Sequence, residues 1–207
     1  MKKLFLVACM TLVLGGCAVG NTHRYDLGDA EFVLDTEKSV AVAVVDLRTY
    51  VLSDEKPPAF VGLQRGGYGN PFDVMTDSGH GLAEDLTTSI VSSLAAAGVQ
   101  AVGVPVPQKS TEAEARQLLA AVSADRCTLL MVREWRADTY FNTGLDYDIT
   151  LAVLTPEGVE LAKTTLQGHD NLGSSMVPAD ARVYAETAVR SKLEAIFGDP
   201  EIKGALK

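Results

Sequence analysis

The chain is short of basic charge, cysteine, tryptophan and long apolar runs, and each shortage closes off a class of function. Eighteen lysines and arginines stand against 27 acidic residues, a formal net charge of −9. Binding nucleic acid by displacing phosphate counterions requires a basic patch, and adhesion to anionic head groups by charge alone requires the same. Neither fits this composition, so no nucleic acid is expected as a partner. There are three cysteines, Cys9, Cys17 and Cys127. If the first two are lost to processing, Cys127 is left unpaired and no internal disulfide can form. Cys127 heads the apolar run Thr128–Val132 and reads as a buried, inert thiol. The apolar run Leu4–Leu14 is too short to cross a bilayer as a helix. No Gly-x-Ser-x-Gly elbow occurs. The glycine-rich run Gly62-Leu63-Gln64-Arg65-Gly66-Gly67-Tyr68-Gly69-Asn70 lacks both the Gly-Lys-Ser/Thr ending and the Rossmann spacing of phosphate loops. No nucleotide or other cofactor is therefore expected.

What is present begins at the first residues. Lys2 and Lys3 form a basic start, Leu4–Leu14 an uncharged core, and Leu14-Gly15-Gly16-Cys17 its end, which is the layout of a cleavable export signal. The tetrapeptide resembles the lipobox of bacterial lipoproteins. That resemblance implies cleavage between Gly16 and Cys17, a diacylglyceryl thioether on Cys17 and an acyl chain on the new amino terminus. Two or more chains bind a membrane stably without help. Cleavage also removes two of the lysines, so the mature chain is more acidic still. Ala18 and Val19 follow the cysteine where an Asp would resemble an inner-membrane retention signal, so the resemblance implies placement in the outer membrane, facing the periplasm.

Residues 17–38 read as a lipidated tether, with His23 solvated and Phe32-Val33-Leu34 able to dock as an edge strand. Residues 39–198 read as one α/β domain and 199–207 as a tail. Ser39–Asp46 is short, β-branched and apolar at both parities, the pattern of a central strand covered on both faces. Residues 53–81 hold Pro57-Pro58, many glycines and the aromatics Phe60, Tyr68 and Phe72. They read as a long glycine-rich insertion without periodicity, a length of loop usually associated with function or disorder. Leu82, Leu86, Ile90, Leu94 and Ala97 then mark a helix, with Asp77 or Ser78 as N-cap and Gly98 as its stop. Thr111-Glu112-Ala113-Glu114 is a capping box. A strand from Cys127 to Asp138 is followed by two more, Leu145–Leu154 and Val159–Gln167. A two-residue turn at Pro156-Glu157 would set Val153 against Glu160 and Leu151 against Ala162. Ala179–Phe197 is the last helix.

The order is β-α-β-α-β-β-β-α, an α/β (α+β mixed sheet) class with one central sheet of about four or five strands and three helices. The run Val40–Arg48, the glycine-rich insertion and the helix ending Leu94-Ala95-Ala96-Ala97-Gly98-Val99 resemble the YajG-type small outer-membrane lipoproteins. They are more loosely similar to the α/β module of the LpoB lipoprotein and the N-terminal domain of TolB. The resemblance implies a non-enzymatic lipoprotein that binds an envelope partner or a second copy of itself.

Candidate chemistry elsewhere is thin. His80 and Glu84 lie four apart but lack a third metal ligand. Asp77-Ser78-Gly79-His80 clusters the residue types of a hydrolase, yet neighbours in sequence rarely converge as a triad. Asp146 and Asp148 share a strand face with Lys163, an arrangement that balances charge rather than performing acid–base work. No catalytic or metal residue is assigned. The strand around Trp135 has no parity that is apolar throughout, and Trp and Arg dominate many interfaces. Trp135 and Arg133, with Tyr68 and Phe72 from the insertion, are therefore the candidate partner-binding residues. A ring- or pore-forming lipoprotein is the alternative reading and a hydrolase a weaker one.

Overall fold

A computed structural model describes residues 21–174 and 178–207. Its backbone is a mixed α/β fold built on one eight-stranded sheet. The strands are β1 (Thr22–His23), β2 (Val40–Asp46), β3 (Phe60–Arg65), β4 (Pro71–Thr76), β5 (Ala101–Gly103), β6 (Arg126–Thr139), β7 (Asn142–Leu154) and β8 (Glu160–Ser174). The helices are α1 (Thr49–Leu52), α2 (Leu82–Ala96), α3 (Glu112–Ala120), α4 (Pro178–Phe197) and α5 (Pro200–Leu206). Among the described residues, eight strands and five helices exceed the expected count; besides the one-turn helix α1 that follows β2, the extra elements come from three segments read as irregular.

The first is residues 53–81. They form an antiparallel hairpin of β3 and β4, closed by the turn at 66–70. Gly62 explains why β propensity was hard to see there. Its Cα lies against the Ala137 carbonyl, where a Cβ would collide with backbone, so close strand approach demanded glycine. The second is the tether. Residues 21–38 cross the domain with Tyr25, Ala30 and Phe32 buried, and the Phe32 ring stacks on Phe197 at 4.4 Å. Phe32 docks as a side chain rather than within a strand. The third is the tail. Asp199 caps α5 by accepting from the Glu201 and Ile202 backbone N–H groups, and Ile202 and Leu206 enter the core.

The long strand β6 organises the sheet. Antiparallel β7 runs along one side of it from Cys127 to Thr139. On the other side β2 pairs in parallel with Arg126–Val132, and β3 pairs in parallel with Ala137–Thr139. Thus β2 and β3 lie end to end along one neighbour. β2 is buried throughout except at Asp46, as its apolar character at both parities predicts. Val40, Val42 and Val44 face a large core under α2, α4 and α5, while Ala41, Ala43 and Val45 face a smaller one under α3.

Local signals explain the helices. Leu82, Leu86, Ile90 and Leu94 are the buried stripe of α2, and Gly98 ends it at φ +82°. The N-cap is Gly81, not Asp77 or Ser78; both of those side chains have other partners, Thr22 and Asp85. The capping box opens α3 as expected, Thr111 and Glu114 each bonding the other's backbone N–H.

The β7–β8 turn is one residue longer than expected. Gly158 takes φ +85°, and Thr155 and Val159 close the turn, giving a three-residue hairpin with a left-handed glycine. A β-bulge between Val153 and Leu154 adds a second residue, so Val153 faces Ala162, Leu151 faces Thr164 and Asp148 faces Gln167. The shift is an even number of residues, so each side chain keeps its expected face.

Candidate functional site

The sequence-derived site does not assemble. Trp135 is 1% exposed and belongs to the large core, with the Tyr25 ring edge-on at 6.1 Å. It is a core residue, not a contact surface, and its indole N–H has no well-formed hydrogen bond. Arg133 lies on the opposite face of the sheet, its Nη1 donating to Thr150 Oγ1 at 2.8 Å. A β-bulge between Val132 and Glu134 separates them. Arg133 is the extra residue, and beyond it the inward parity changes from Val132 to Trp135. One inserted residue thus accounts for a strand that looked apolar at neither parity. Phe72 is half-buried on β4, and only Tyr68, at the tip of the hairpin, stands free at 99% exposed. Gly16 and Cys17 lie outside the described residues.

The Asp77–His80 cluster is not arranged as a triad. The Ser78 hydroxyl donates to the Asp85 carboxylate, lying 2.7 and 2.9 Å from its two oxygens. His80 instead contacts Glu84 at 3.4 Å on the exposed first turn of α2. Among the described residues no group of three His, Cys, Asp or Glu side chains could hold a metal ion.

His23, expected in solvent, is buried between Tyr25 and a cavity of about 300 Å³ lined by Asn21, Gln64 and Arg182. The Tyr25 hydroxyl lies 3.4 Å from its Nδ1. Burial, helped by the charge of Arg182, lowers the imidazole to about 4, so His23 is neutral at ordinary pH.

Two surface features remain. One is the open edge of the sheet. β8 is 15 residues long and, among the described residues, pairs with β7 alone. Its side chains alternate, with Ala162, Thr164, Leu166 and Asp170 turned toward the helices and Lys163, Thr165, Gln167 and His169 exposed. Beside that exposed row lie compensated charges. Asp146 accepts from Arg136 at 2.9 Å and contacts His169 Nδ1 at 2.7 Å. Burial pushes the Asp146 carboxyl up, but His169 and Arg136 outweigh it and hold the group below the usual carboxylate range. The paired carboxylates expected on this face are thus engaged by cations. The other edges are short, β1 having two residues and β5 three.

The second feature is the end of the sheet where the β3–β4 and β6–β7 turns meet. Tyr140 Oη donates to the Gly67 carbonyl at 3.3 Å, and its ring lies 4.1 Å from that of Phe141. The β3 and β4 strands have six residues each, short of the ~9–11 that a membrane-crossing strand needs.

The arrangement defines a class of fold, a curled mixed sheet with helices packed on both faces. Protein XCC0632 from Xanthomonas campestris, assigned to the family DUF330, has this fold, with a TM-score of 0.54 over 91% of this chain and 94% of its own at 15% identity. Weaker likenesses, too slight to carry an argument, are to the PelC dodecamer from Paraburkholderia phytofirmans and lipoprotein GNA1162 from Neisseria meningitidis. Their TM-scores are 0.44 and 0.31 at 13% and 11% identity, covering 84% and 76% of this chain and 92% and 98% of theirs. No family model matches the sequence, and no curated protein does.

Proposed function

We propose that this protein is a lipid-anchored, non-enzymatic module of the bacterial envelope, held in the outer membrane through Cys17 and facing the periplasm. Its task is to bind an extended segment of a protein partner along the open edge of β8. The observation that carries the reading is that, among the described residues, a 15-residue strand has a strand neighbour on one side only. Long open edges invite another strand, and soluble proteins commonly shield them with proline or bulges. β8 contains no proline, its two bulges lie at the two ends of the β7 ladder and leave Ala162–Asn171 in regular register, and Lys163 is the one lysine along it. Strand addition gives affinity through backbone hydrogen bonds, while the exposed row Thr165, Gln167 and His169 reads the partner's alternate side chains.

Photo-crosslinking in intact cells tests the partner. A photoreactive residue at Thr165 or Gln167 should yield a discrete adduct, whereas one at Gln117 on α3 should not. Adducts twice the protein's own mass mean that the second strand comes from another copy. Absence of adducts at β8, with adducts at Gln117, overturns the reading. Cys17→Ser tests the anchor separately, since the thioether forms only at sulfur: lipid labelling and membrane retention should both be lost.

A further inference from the structure

The exposed aromatic side chains gather at one end of the molecule, and the first described residues run beside β4, the strand that leaves that end. Tyr68 is 99% exposed, Phe141 66% and Tyr140 37%, and no other aromatic among the described residues is comparably exposed. The contact of Tyr140 with Gly67 holds the two turns together. β1 runs parallel to β4 with Thr22 beside Met75. β4 starts at the turn carrying Tyr68, and the Asn21 carbonyl accepts from the Met75 N–H, so Asn21 lies nearer that turn than Thr22 does. Asn21 lines a cavity with Gln64, one residue before the end of β3, and with Val183, an exposed residue early in α4.

Covalent geometry then sets a limit. Four residue steps separate Asn21 from Cys17, so at ~3.3–3.6 Å each the attachment point lies no more than about 14 Å away. We propose that this end of the domain docks on the lipid surface itself, with Tyr68, Tyr140 and Phe141 seated in the interfacial layer. The proposal rests on the reading of Cys17 as a lipid attachment site. Tyrosine suits this depth because its ring is apolar while its hydroxyl stays among the head groups. The charged pair nearest the turns, Arg65 with Asp138 at 2.6 Å, is internally neutral, so an acidic chain can approach a membrane here. Three acyl chains need no help to hold the protein. Docking therefore sets orientation rather than retention. It stands the sheet on its turn end, with its strands running away from the bilayer and the β7–β8 turn farthest from it.

The test uses the lipidated protein, extracted from membranes and reconstituted into vesicles of phosphatidylethanolamine and phosphatidylglycerol. A polarity-sensitive thiol dye is placed at Tyr68→Cys or, separately, at Val159→Cys in the distal turn. Cys127 is buried and takes no label. The expected result is that both proteins float with the vesicles, and that a water-soluble quencher acts several-fold less on the dye at 68 than on the dye at 159. Equal quenching in floating protein overturns the docking proposal and leaves the anchor standing. Protection at 159 with exposure at 68 overturns it too. Protein that does not float shows that the anchor reading has failed, and the docking proposal falls with it.

Discussion

Arg48 turns back onto Asp46, its Nε donating to Oδ1 at 2.8 Å and its Nη2 to Oδ2 at 2.6 Å, with the guanidinium completely buried. Its remaining donors reach the carbonyls of Phe60, at 2.5 Å, and Pro58, at 3.0 Å. The pair therefore sits where β2 stops and β3 begins along β6, and satisfies backbone groups that no strand serves there. Tyr50 completes the join, its hydroxyl donating to Glu134 Oε1 at 2.8 Å, with the Trp135 carbonyl 3.2 Å away as a second acceptor within reach. Burying a guanidinium is tolerable only with every donor engaged.

Arg48→Ala should cost about 3–5 kcal/mol in urea unfolding, because it takes the guanidinium away from the Asp46 carboxylate and from the Phe60 and Pro58 carbonyls. Arg48→Lys should rescue little, since an ammonium cannot reproduce the planar fork. Replacing both partners by apolar residues, Asp46→Leu with Arg48→Met, should recover part of the loss. A single Arg48→Ala variant as stable as the wild type would mean that the join does not depend on this pair.

Much of this was legible in the sequence wherever side-chain pattern and backbone requirement coincide. β2, the α2 stripe and the α3 capping box each announce themselves through local chemistry. Three features did not. The hairpin of β3 and β4 is rich in glycine because Gly62 must lie against the Ala137 carbonyl, a requirement set by a strand 75 residues away. The bulge at Arg133 changes parity without any residue type that marks it. The segment around Tyr25 lacks periodicity because it is a strap whose burial comes from tertiary contacts. The candidate surface fared likewise. Tyr68 is exposed, as its glycine-rich turn suggests, whereas the burial of Trp135 is masked in the sequence because a bulge and a mixed charge pattern imitate an open face. The free β8 edge leaves no local trace, since pairing on one side or two is decided by topology.

Trp135 should report its burial directly. Its emission should be blue-shifted and resistant to aqueous quenchers in dilute solution. Trp135→Ala should destabilise the protein by about 3–5 kcal/mol, the usual cost of emptying a large aromatic site. Trp135→Phe should cost less, since the indole N–H has no well-formed hydrogen bond to lose. Red-shifted, quenchable emission would place the indole outside the core.

Cys127 should be silent. Its thiol is buried and lies 3.8 Å from the Leu119 carbonyl, and burial raises its pKa. Thiolate is the reactive form, so a thiol reagent should modify Cys127 only as fast as the protein unfolds. Unfolding midpoints should be equal with and without reductant. Rapid modification of the native protein would contradict this.

The pH dependence should hide two opposed titrations. His23 is lowered from 6.5 to about 4 by burial and by Arg182. Between those values the unfolded chain holds the proton and the native protein does not, so stability is lost as pH falls through the window. Asp85 is raised from 3.8 to about 6, chiefly by burial and against the hydrogen bond from Ser78. Between those values the native protein holds the proton, so stability is lost as pH rises. The windows overlap and each contribution is on the order of 2–3 kcal/mol, so between about pH 4.5 and 6 the two should nearly cancel. Removing one should expose the other. Relative to the wild type, Asp85→Asn should make stability climb with pH across this range, and His23→Gln should make it fall. Urea midpoints at half-unit pH steps would read both slopes. If the two variants keep the wild-type profile, neither group titrates as its burial implies; if both slopes have one sign, the assignment of the native protonation states is wrong.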